Sequence, residues 1–131
     1  MADVYIDGAS AGNPGPSGAG FVVIHEGKVT EKSIPLPALT NHEAEWEALL
    51  AAVKFCQAEG IQNVFVKTDS QLIERAVESC YVKKPLYRIS LDEVLAISQS
   101  FALFFVKWIP ESQNKKADQL ARRAIQVSKR S

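Results

Sequence analysis

The sequence lacks an excess of charge of either sign, since 15 Lys and Arg residues balance 15 Asp and Glu residues. No global positive field therefore marks the chain as a nucleic-acid-binding protein, and composition alone does not suggest that partner. The only basic region lies near the C-terminus, where the exposed face of a helix would explain it equally well. Its residues are Lys115, Lys116, Arg122, Arg123, Lys129 and Arg130.

Long apolar runs and paired cysteines are also missing. No stretch approaches the roughly 18 apolar residues that a membrane helix needs, and no signal-peptide pattern occurs at the N-terminus. Cys56 and Cys80 match no zinc-binding spacing and fall in segments with a helical pattern, so we expect both to pack as small hydrophobic side chains. We therefore expect a protein without a membrane partner, in a reducing, cytoplasmic setting.

An apolar fraction of 47% in 131 residues is enough for one compact domain with its own core. No repeat, linker or low-complexity segment divides the chain. We therefore expect a single domain over residues 1–131, and we expect it to be a monomer.

Hydrophobic periodicity predicts the element order βββαβααβα. Three opening strands are predicted at 2–7, 21–24 and 29–34, with an irregular turn over the glycine- and proline-rich segment 12–18 and a hairpin tip at 26–28. Thr40 and Glu43 have the spacing of a capping box, which predicts a helix from there to about Glu59. Later segments predict strands at 64–66 and 103–109 and helices at 70–79, 83–100 and 114–127. The result should be an α/β fold, with a five-stranded mixed sheet flanked by helices.

Two acidic residues lie on the apolar faces of predicted helices. Glu45 shares a face with Leu49 and Ala52, and Asp118 shares one with Ala121. Burial of an unpaired carboxylate costs several kcal/mol, so these positions indicate a partner such as a cation. A half-exposed position near a helix end is the alternative for Glu45, and an interaction with the helix dipole is the alternative for Asp118.

Two further acids, Asp7 and Asp69, end predicted strands. In open α/β sheets, ligands bind in the crevice beyond the carboxyl ends of the strands, so these acids would face each other there. Each has a structural alternative. Asp7 and Gly8 could form an ordinary turn, and Asp69 could cap the helix that begins at Ser70.

Four acids on one side of a sheet predict a metal site. Like charges in a low-dielectric pocket repel and raise each other's pKa values, and hard divalent cations relieve that repulsion. Because no His or Cys has ligand spacing, the ion should be Mg²⁺ or Mn²⁺ and not zinc. Two such ions, roughly 3.5–4 Å apart, would bracket a phosphodiester during displacement by water. The predicted reaction class is metal-assisted phosphoryl hydrolysis.

Five motifs occur along the chain, at Tyr5–Ser10, Gly12–Gly18, Thr40–Glu45, Thr68–Gln71 and Asn114–Ala121. In their residues and order, over nearly the whole length of the chain, they resemble type 1 ribonuclease H. Segments 44–49 and 108–111 resemble the reverse-transcriptase-like branch of that family in particular.

The resemblance implies an endonuclease that hydrolyses the RNA strand of RNA/DNA hybrids, leaving 5′-phosphate and 3′-hydroxyl ends. It implies that two Mg²⁺ ions, or Mn²⁺, are held with substrate by the catalytic acids Asp7, Glu45, Asp69 and Asp118. It also implies contacts with the hybrid's backbone or its shallow minor groove, where 2′-hydroxyls are displayed. The positions concerned are Gly8, Ser10, Asn13, Asn41 and Gln71. A turn for Asn13 and a helix cap for Asn41 are the structural alternatives.

The sequence departs from longer family members in two places. Between the second helix and the fifth strand only three basic residues occur, so the basic protrusion that grips the hybrid in some relatives should be missing. The loop at 110–113 has no His where relatives often carry one, and neither His25 nor His42 aligns with it. We expect both histidines to be surface residues, and both affinity and turnover to be affected.

Two rival functions remain open at this stage. A non-catalytic or weakly active nucleic-acid-binding module could retain the fold, although the presence of all four acids argues against it. A nucleotide-binding enzyme could use the glycine-rich loop to hold phosphate. That loop lacks the Gly-Lys-Ser/Thr sequence and leads into a strand, so it fails the context of both common phosphate-binding motifs.

Overall fold

A five-stranded mixed sheet forms the centre of the fold, in a computed structural model that describes residues 1–130. The strand order is β3-β2-β1-β4-β5. The β2 strand is antiparallel to both of its neighbours, whereas β4 runs parallel to β1 and β5 runs parallel to β4. The strands are β1 (Ala2–Ser10), β2 (Gly15–His25), β3 (Lys28–Leu39), β4 (Asn63–Thr68) and β5 (Leu103–Trp108).

Four α-helices and one short 3₁₀ turn at Glu111–Gln113 complete the described chain. The helices are α1 (Asn41–Ala58), α2 (Gln71–Ser79), α3 (Pro85–Ser98) and α4 (Lys115–Lys129). The predicted α/β class and element order are therefore confirmed. Among residues 1–130, no helix is long and apolar enough to cross a membrane.

The sheet has a helix on each face. Gly8 in β1 points toward α1, whereas Gly20, the partner of Asp7 across the β1–β2 ladder, points toward α4. Because paired residues in a sheet share a face, Asp7 also lies on the α4 side. Alternate residues of β1, such as Val4 and Ile6, are buried in the core on the α1 side. One strand thus supplies both the core and the acidic position.

The glycine-rich segment is shorter as a loop than the sequence predicts. The prediction of an irregular turn over 12–18 is wrong at its end, because β2 already begins at Gly15. A Cβ atom on Gly18 would lie 2.3 Å from the Ala121 carbonyl oxygen, and one on Gly20 would lie 2.5 Å from that of Ala117. These glycines let α4 pack directly on β2. In the sequence, glycines needed for close packing look the same as glycines that form a turn.

The prediction for the two cysteines is correct only for Cys56, which is buried in α1. Cys80 is exposed. It follows the last residue of α2 and adopts a left-handed backbone conformation, with φ of 57°. Because α2 ends at Ser79, Cys80 does not continue the apolar face of the helix, and the Cys80 side chain is exposed to solvent.

Candidate active site

The strand register brings two acids to one point. The parallel pairing of β1 with β4 ends at Ile6 and Thr68, so Asp7 and Asp69 are the next residues on the two neighbouring strands. Asp7 does not form a turn with Gly8, because β1 continues antiparallel to β2 as far as Ser10. A crevice therefore opens beside Asp7 where β4 stops, although β1 itself extends further than the sequence indicates.

Helix α1 delivers Glu45 to the same crevice. The capping box fixes the start of this helix: the Thr40 amide donates to Glu43 Oε1 at 3.0 Å, and the Glu43 amide donates to Thr40 Oγ1 at 3.2 Å. Gly8 lets the helix approach β1, since a Cβ atom there would lie 2.2 Å from the Ala44 carbonyl carbon. Any larger residue at position 8 would push Glu45 away from Asp7.

Three of the four predicted acids lie together. Asp7, Glu45 and Asp69 each offer a carboxylate oxygen, and these oxygens lie within 4.8 Å of one another. Asp118, in the first turn of α4, lines the same crevice as Asp69 and by its charge raises the pKa of Asp7. Its carboxylate also pairs with Arg122, whose Nε lies 3.0 Å from Oδ2. The structure thus places the fourth acid beside the other three, facing a counter-charge.

The electrostatics of this cluster favour a cation. Burial, followed by the charges of Asp69 and Asp118, raises the pKa of Asp7 to about 8. Burial also raises the pKa of Glu45, against the opposing effect of His42, and it raises that of Asp69. Full ionisation near neutral pH therefore requires positive charge in the crevice. An all-oxygen donor set of this kind fits a hard divalent ion such as Mg²⁺.

Asn114 is a site residue that the sequence analysis placed in a motif without giving it a role. Its side chain is buried, and Nδ2 donates to the Ile6 carbonyl oxygen at 2.8 Å and lies 3.4 Å from Asp69 Oδ2. It therefore connects β1, the Asp69 carboxylate and the start of α4. A polar residue immediately before a helix that carries an acid was the available signal.

His42 lies closer to the acids than expected. It is exposed, as predicted, yet its Nδ1 lies 2.9 Å from Glu45 Oε1. In sequence, His42 does not align with the histidine that some relatives carry in the loop before the last helix. The spacing of three residues along a helix, which places side chains on one face, would have indicated the contact.

Three of the proposed substrate-binding residues form one hydrogen-bonded ring. The Ser10 amide donates to Asn41 Oδ1 at 2.9 Å, the Asn41 amide donates to Asn13 Oδ1 at 2.8 Å, and the Asn13 amide donates to Ser10 Oγ at 3.2 Å. The cap of α1 is Thr40, so the alternative role of Asn41 as a cap is wrong. Asn13 has φ of 42°, a turn conformation, and also belongs to the ring.

The remaining candidates divide between two surfaces. Gly8, Ser10 and Asn41 line the crevice with Asp7. Gln71, the first residue of α2, instead lines a neighbouring depression. The residue that caps α2 is Ser70, whose side chain accepts from the Ile73 amide, so Asp69 does not have the alternative capping role.

Both departures from longer relatives have a structural counterpart. Only residues 80–84 connect α2 to α3, so the described chain has no helix there that could form a protrusion. The loop before α4 forms the 3₁₀ turn, and its Glu111 raises the pKa of Asp69 after the larger effect of burial. This loop therefore brings another negative charge to the site, in a position where some relatives bring a histidine.

Comparison with known proteins gives matches along nearly the whole chain. A family model described as reverse transcriptase-like matches residues 5–124. The EbsB protein of Enterococcus faecalis is 38% identical over 96% of this chain and 95% of its own length. Ribonuclease HI of Halobacterium salinarum is 32% identical over 92% of this chain and 62% of its own length, so this chain spans less than two thirds of that protein.

Solved structures match as completely. The ribonuclease H1 of Halobacterium salinarum superposes with a TM-score of 0.90 and 29% identity, covering 96% of this chain and 98% of that one. LC11-RNase H1, solved in complex with an RNA/DNA hybrid, superposes with a TM-score of 0.90 and 32% identity, covering 98% of this chain and 99% of that one. The similarity therefore includes every element that carries an acid.

Proposed function

The chain belongs to the reverse transcriptase-like family of type 1 ribonucleases H, and we propose that it hydrolyses the RNA strand of RNA/DNA hybrids with the aid of divalent cations. The observation that carries this proposal is the set of three carboxylate oxygens within 4.8 Å of one another, at the end of the β1–β4 pairing. Relatives named ribonuclease H support the reaction, and the hybrid bound to LC11-RNase H1 supports the substrate.

Four acids of this chain would hold the ions. The Asp7 carboxylate lies with those of Glu45 and Asp69, and the charge of Asp118 acts on it as well, which suits Asp7 to share ions with these acids. We propose two Mg²⁺ ions when substrate is present, with Mn²⁺ as a chemically equivalent substitute. Bound ions of this kind make water a better nucleophile and offset the negative charge on the phosphate.

The proposed reaction is hydrolysis of one phosphodiester. A water oxygen forms a bond to phosphorus while the bond from phosphorus to the ribose 3′-oxygen breaks. One water proton ends on the 3′-oxygen and the other remains with the new terminal phosphate, which gives 3′-hydroxyl and 5′-phosphate ends. Asn114 contributes by holding the Asp69 carboxylate in place.

Substrate contacts are proposed along the crevice and beside it. Gly8, Ser10 and Asn41 lie where a backbone or minor groove would pass the acids, and the hydrogen-bonded ring holds Asn13 beside them. Gln71 would contact the same duplex from the neighbouring depression. Polar groups of this kind can recognise 2′-hydroxyls without reading base sequence.

We further propose that a single domain acts as a monomer in the cytoplasm. All four acids come from one chain, so no second copy is needed to complete the site. All five strands join one sheet, which supports one domain. Cys56 and Cys80 are both unpaired, as is usual in a reducing compartment.

The test is cleavage of a hybrid whose RNA strand carries an end label, with Mg²⁺ or with EDTA. The wild type should cut the RNA strand only with Mg²⁺. Asp7→Asn should lower the rate about 1,000-fold or more, because an amide cannot supply the same charge to an ion and loss of roughly 4 kcal/mol of stabilisation has that effect.

The matched control is Asp3→Asn, four residues earlier on the same face of β1, where Asp3 pairs with Lys67 at 3.2 Å outside the crevice. This variant should cleave at close to the wild-type rate. Equal rates for Asp7→Asn and wild type would disprove the proposed site. Binding of the hybrid without cleavage by the wild type would favour a non-catalytic binding module instead.

A further inference from the structure

Glu45 is the acid whose orientation is least determined by its own backbone. It has more rotatable side-chain bonds than the three aspartates, and it approaches Asp7 and Asp69, whose charges repel it. Its side chain is only 15% exposed, so solvent contributes little to holding it. A contact that keeps its carboxylate directed into the crevice therefore has a large effect on the shape of the site.

His42 makes that contact from the preceding turn of α1. Its Nδ1 lies 2.9 Å from Glu45 Oε1. When Glu45 is ionised, as it must be to bind a cation, its carboxylate can only accept, so the imidazole ring then donates from Nδ1. This leaves Glu45 Oε2 free of His42, and one oxygen of the carboxylate is held while the other can face the neighbouring acids.

The His42 ring is itself held, although its side chain is 51% exposed. It meets the ring of Tyr87 edge-on, with centroids 6.3 Å apart and planes at 77°. Tyr87 in turn stacks on Trp46, with centroids 6.4 Å apart and planes at 27°. Both Tyr87 and Trp46 are buried, so α3 supports the His42 ring from the core.

His25, the other histidine, also lies near a carboxylate and serves as a comparison for the His42–Glu45 contact. His25, at the end of β2, lies 3.8 Å from the carboxylate of Glu26, which is almost fully exposed. His25 and Glu26 lie on the hairpin between β2 and β3, away from the crevice. The shorter distance and the supporting rings therefore distinguish His42 from a surface histidine that happens to lie near an acid.

We propose that His42 is a positioning residue, which through its hydrogen bond holds the Glu45 carboxylate ready to bind a divalent cation. The inference rests on the proposed function in treating Glu45 as a metal ligand. Partners that orient metal ligands typically contribute 10- to 100-fold to metal affinity or activity. Because His42 is half exposed, we expect the lower end of that range.

The test measures Mn²⁺ binding to the protein without substrate, from the electron paramagnetic resonance signal of free Mn²⁺. His42→Ala should weaken Mn²⁺ binding about tenfold. His42→Asn should restore it to within about threefold of wild type, because the amide nitrogen of Asn occupies nearly the place of Nδ1 and can donate. His25→Ala, the matched control, should bind as wild type does.

The Mg²⁺ dependence of hybrid cleavage is a second, independent measurement of the same effect. In His42→Ala the Mg²⁺ concentration that gives half-maximal rate should rise about tenfold, while the rate at saturating Mg²⁺ stays within about threefold of wild type. A general loss of structure would lower the saturated rate as well. Rescue by His42→Asn should again be seen.

The outcomes separate this inference from the proposed function. If His42→Ala binds Mn²⁺ as tightly as wild type, or if His42→Asn is as weak as His42→Ala, the positioning role is wrong. If wild type binds no Mn²⁺, both the site and the role of His42 are wrong. If His42→Ala weakens Mn²⁺ binding but wild type does not cleave hybrid, the proposed function fails and the positioning role stands.

Discussion

The two helices that carry acids into the crevice support them in different ways. On the α1 side, Glu45 is 15% exposed and contacts His42, a ring that rests on buried aromatic residues. On the α4 side, Asp118 is 28% exposed and pairs with Arg122, which is 70% exposed. One carboxylate is thus oriented by packing, and the other is balanced by a charge in solvent.

This difference indicates which part of the site is fixed before an ion or a substrate arrives. Exposed ion pairs contribute little free energy and weaken with salt, so Arg122 can leave Asp118 at small cost. A carboxylate surrounded by packed side chains cannot move without disturbing them. We therefore expect the α1 side to be preorganised and the α4 side to adjust when phosphate and cations enter.

The largest expected difference is in catalysis. Glu45→Gln should lower the rate at saturating Mg²⁺ about 1,000-fold or more, and Asp118→Asn about 100-fold, because the more exposed position can be filled in part by water. The measurement is single-turnover cleavage of an end-labelled hybrid. Glu93→Gln, which removes an exposed ion pair between Glu93 on α3 and Lys54 on α1, is the control and should cleave normally. An Asp118→Asn variant slower than Glu45→Gln would reverse the comparison.

The positions of the four acids at one crevice and the order of elements could be predicted from sequence because both depend on local pattern. Glu45 stands out against the buried Leu49 and Ala52 of its own helix face, and its unusual position can be seen without knowledge of the sheet. Asp69 follows a short apolar strand, which is also a local signal. The fold preserves these local patterns because burial of the apolar residues around each acid determines which face of the element meets the core.

The parts that could not be predicted depend on contacts between elements distant in sequence. Gly18 and Gly20 have the composition of a turn, and only the approach of α4 shows that they belong to a strand. His42 is a polar residue in the first turn of a helix, and only Tyr87 from α3 shows that its ring is supported. Asn114 is similar, since its partner Ile6 is 108 residues away.

A smaller effect is expected on stability in EDTA, where the acids repel without relief. The pKa of Asp7 is raised from 3.8 to about 8, chiefly by burial, so folding favours its protonated form. Stability should therefore fall as pH rises from about 4 to 8, with the full cost present above the folded pKa. Asp7→Asn should gain on the order of 1 kcal/mol over wild type at pH 8 and less at pH 5.

The two sides should differ here as well. Asp118→Asn should gain less than Asp7→Asn, because Arg122 already offsets the charge of Asp118. Thermal melts at pH 5 and pH 8, with EDTA and then with Mg²⁺, measure both effects, and Mg²⁺ should stabilise wild type preferentially. If both variants melt below wild type in EDTA at pH 8, the acids act as structural hydrogen-bond acceptors and not as a repelling cluster.

The smallest effect should come from Arg122→Gln in EDTA at neutral pH. Removal of the guanidinium leaves the Asp118 carboxylate without its counter-charge, so the melting temperature should fall slightly at low ionic strength. In about 1 M salt, where charges are screened beyond roughly 3 Å, the difference from wild type should disappear. The control is Lys116→Gln, on the same helix as Arg122, which removes an ion pair with Glu31 of β3 at 3.5 Å and should behave in the same way. The contradicting outcome is a lower melting temperature that persists in high salt for Arg122→Gln alone. Arg122 would then hold Asp118 as firmly as His42 is expected to hold Glu45. The α4 side of the site would be as preorganised as the α1 side.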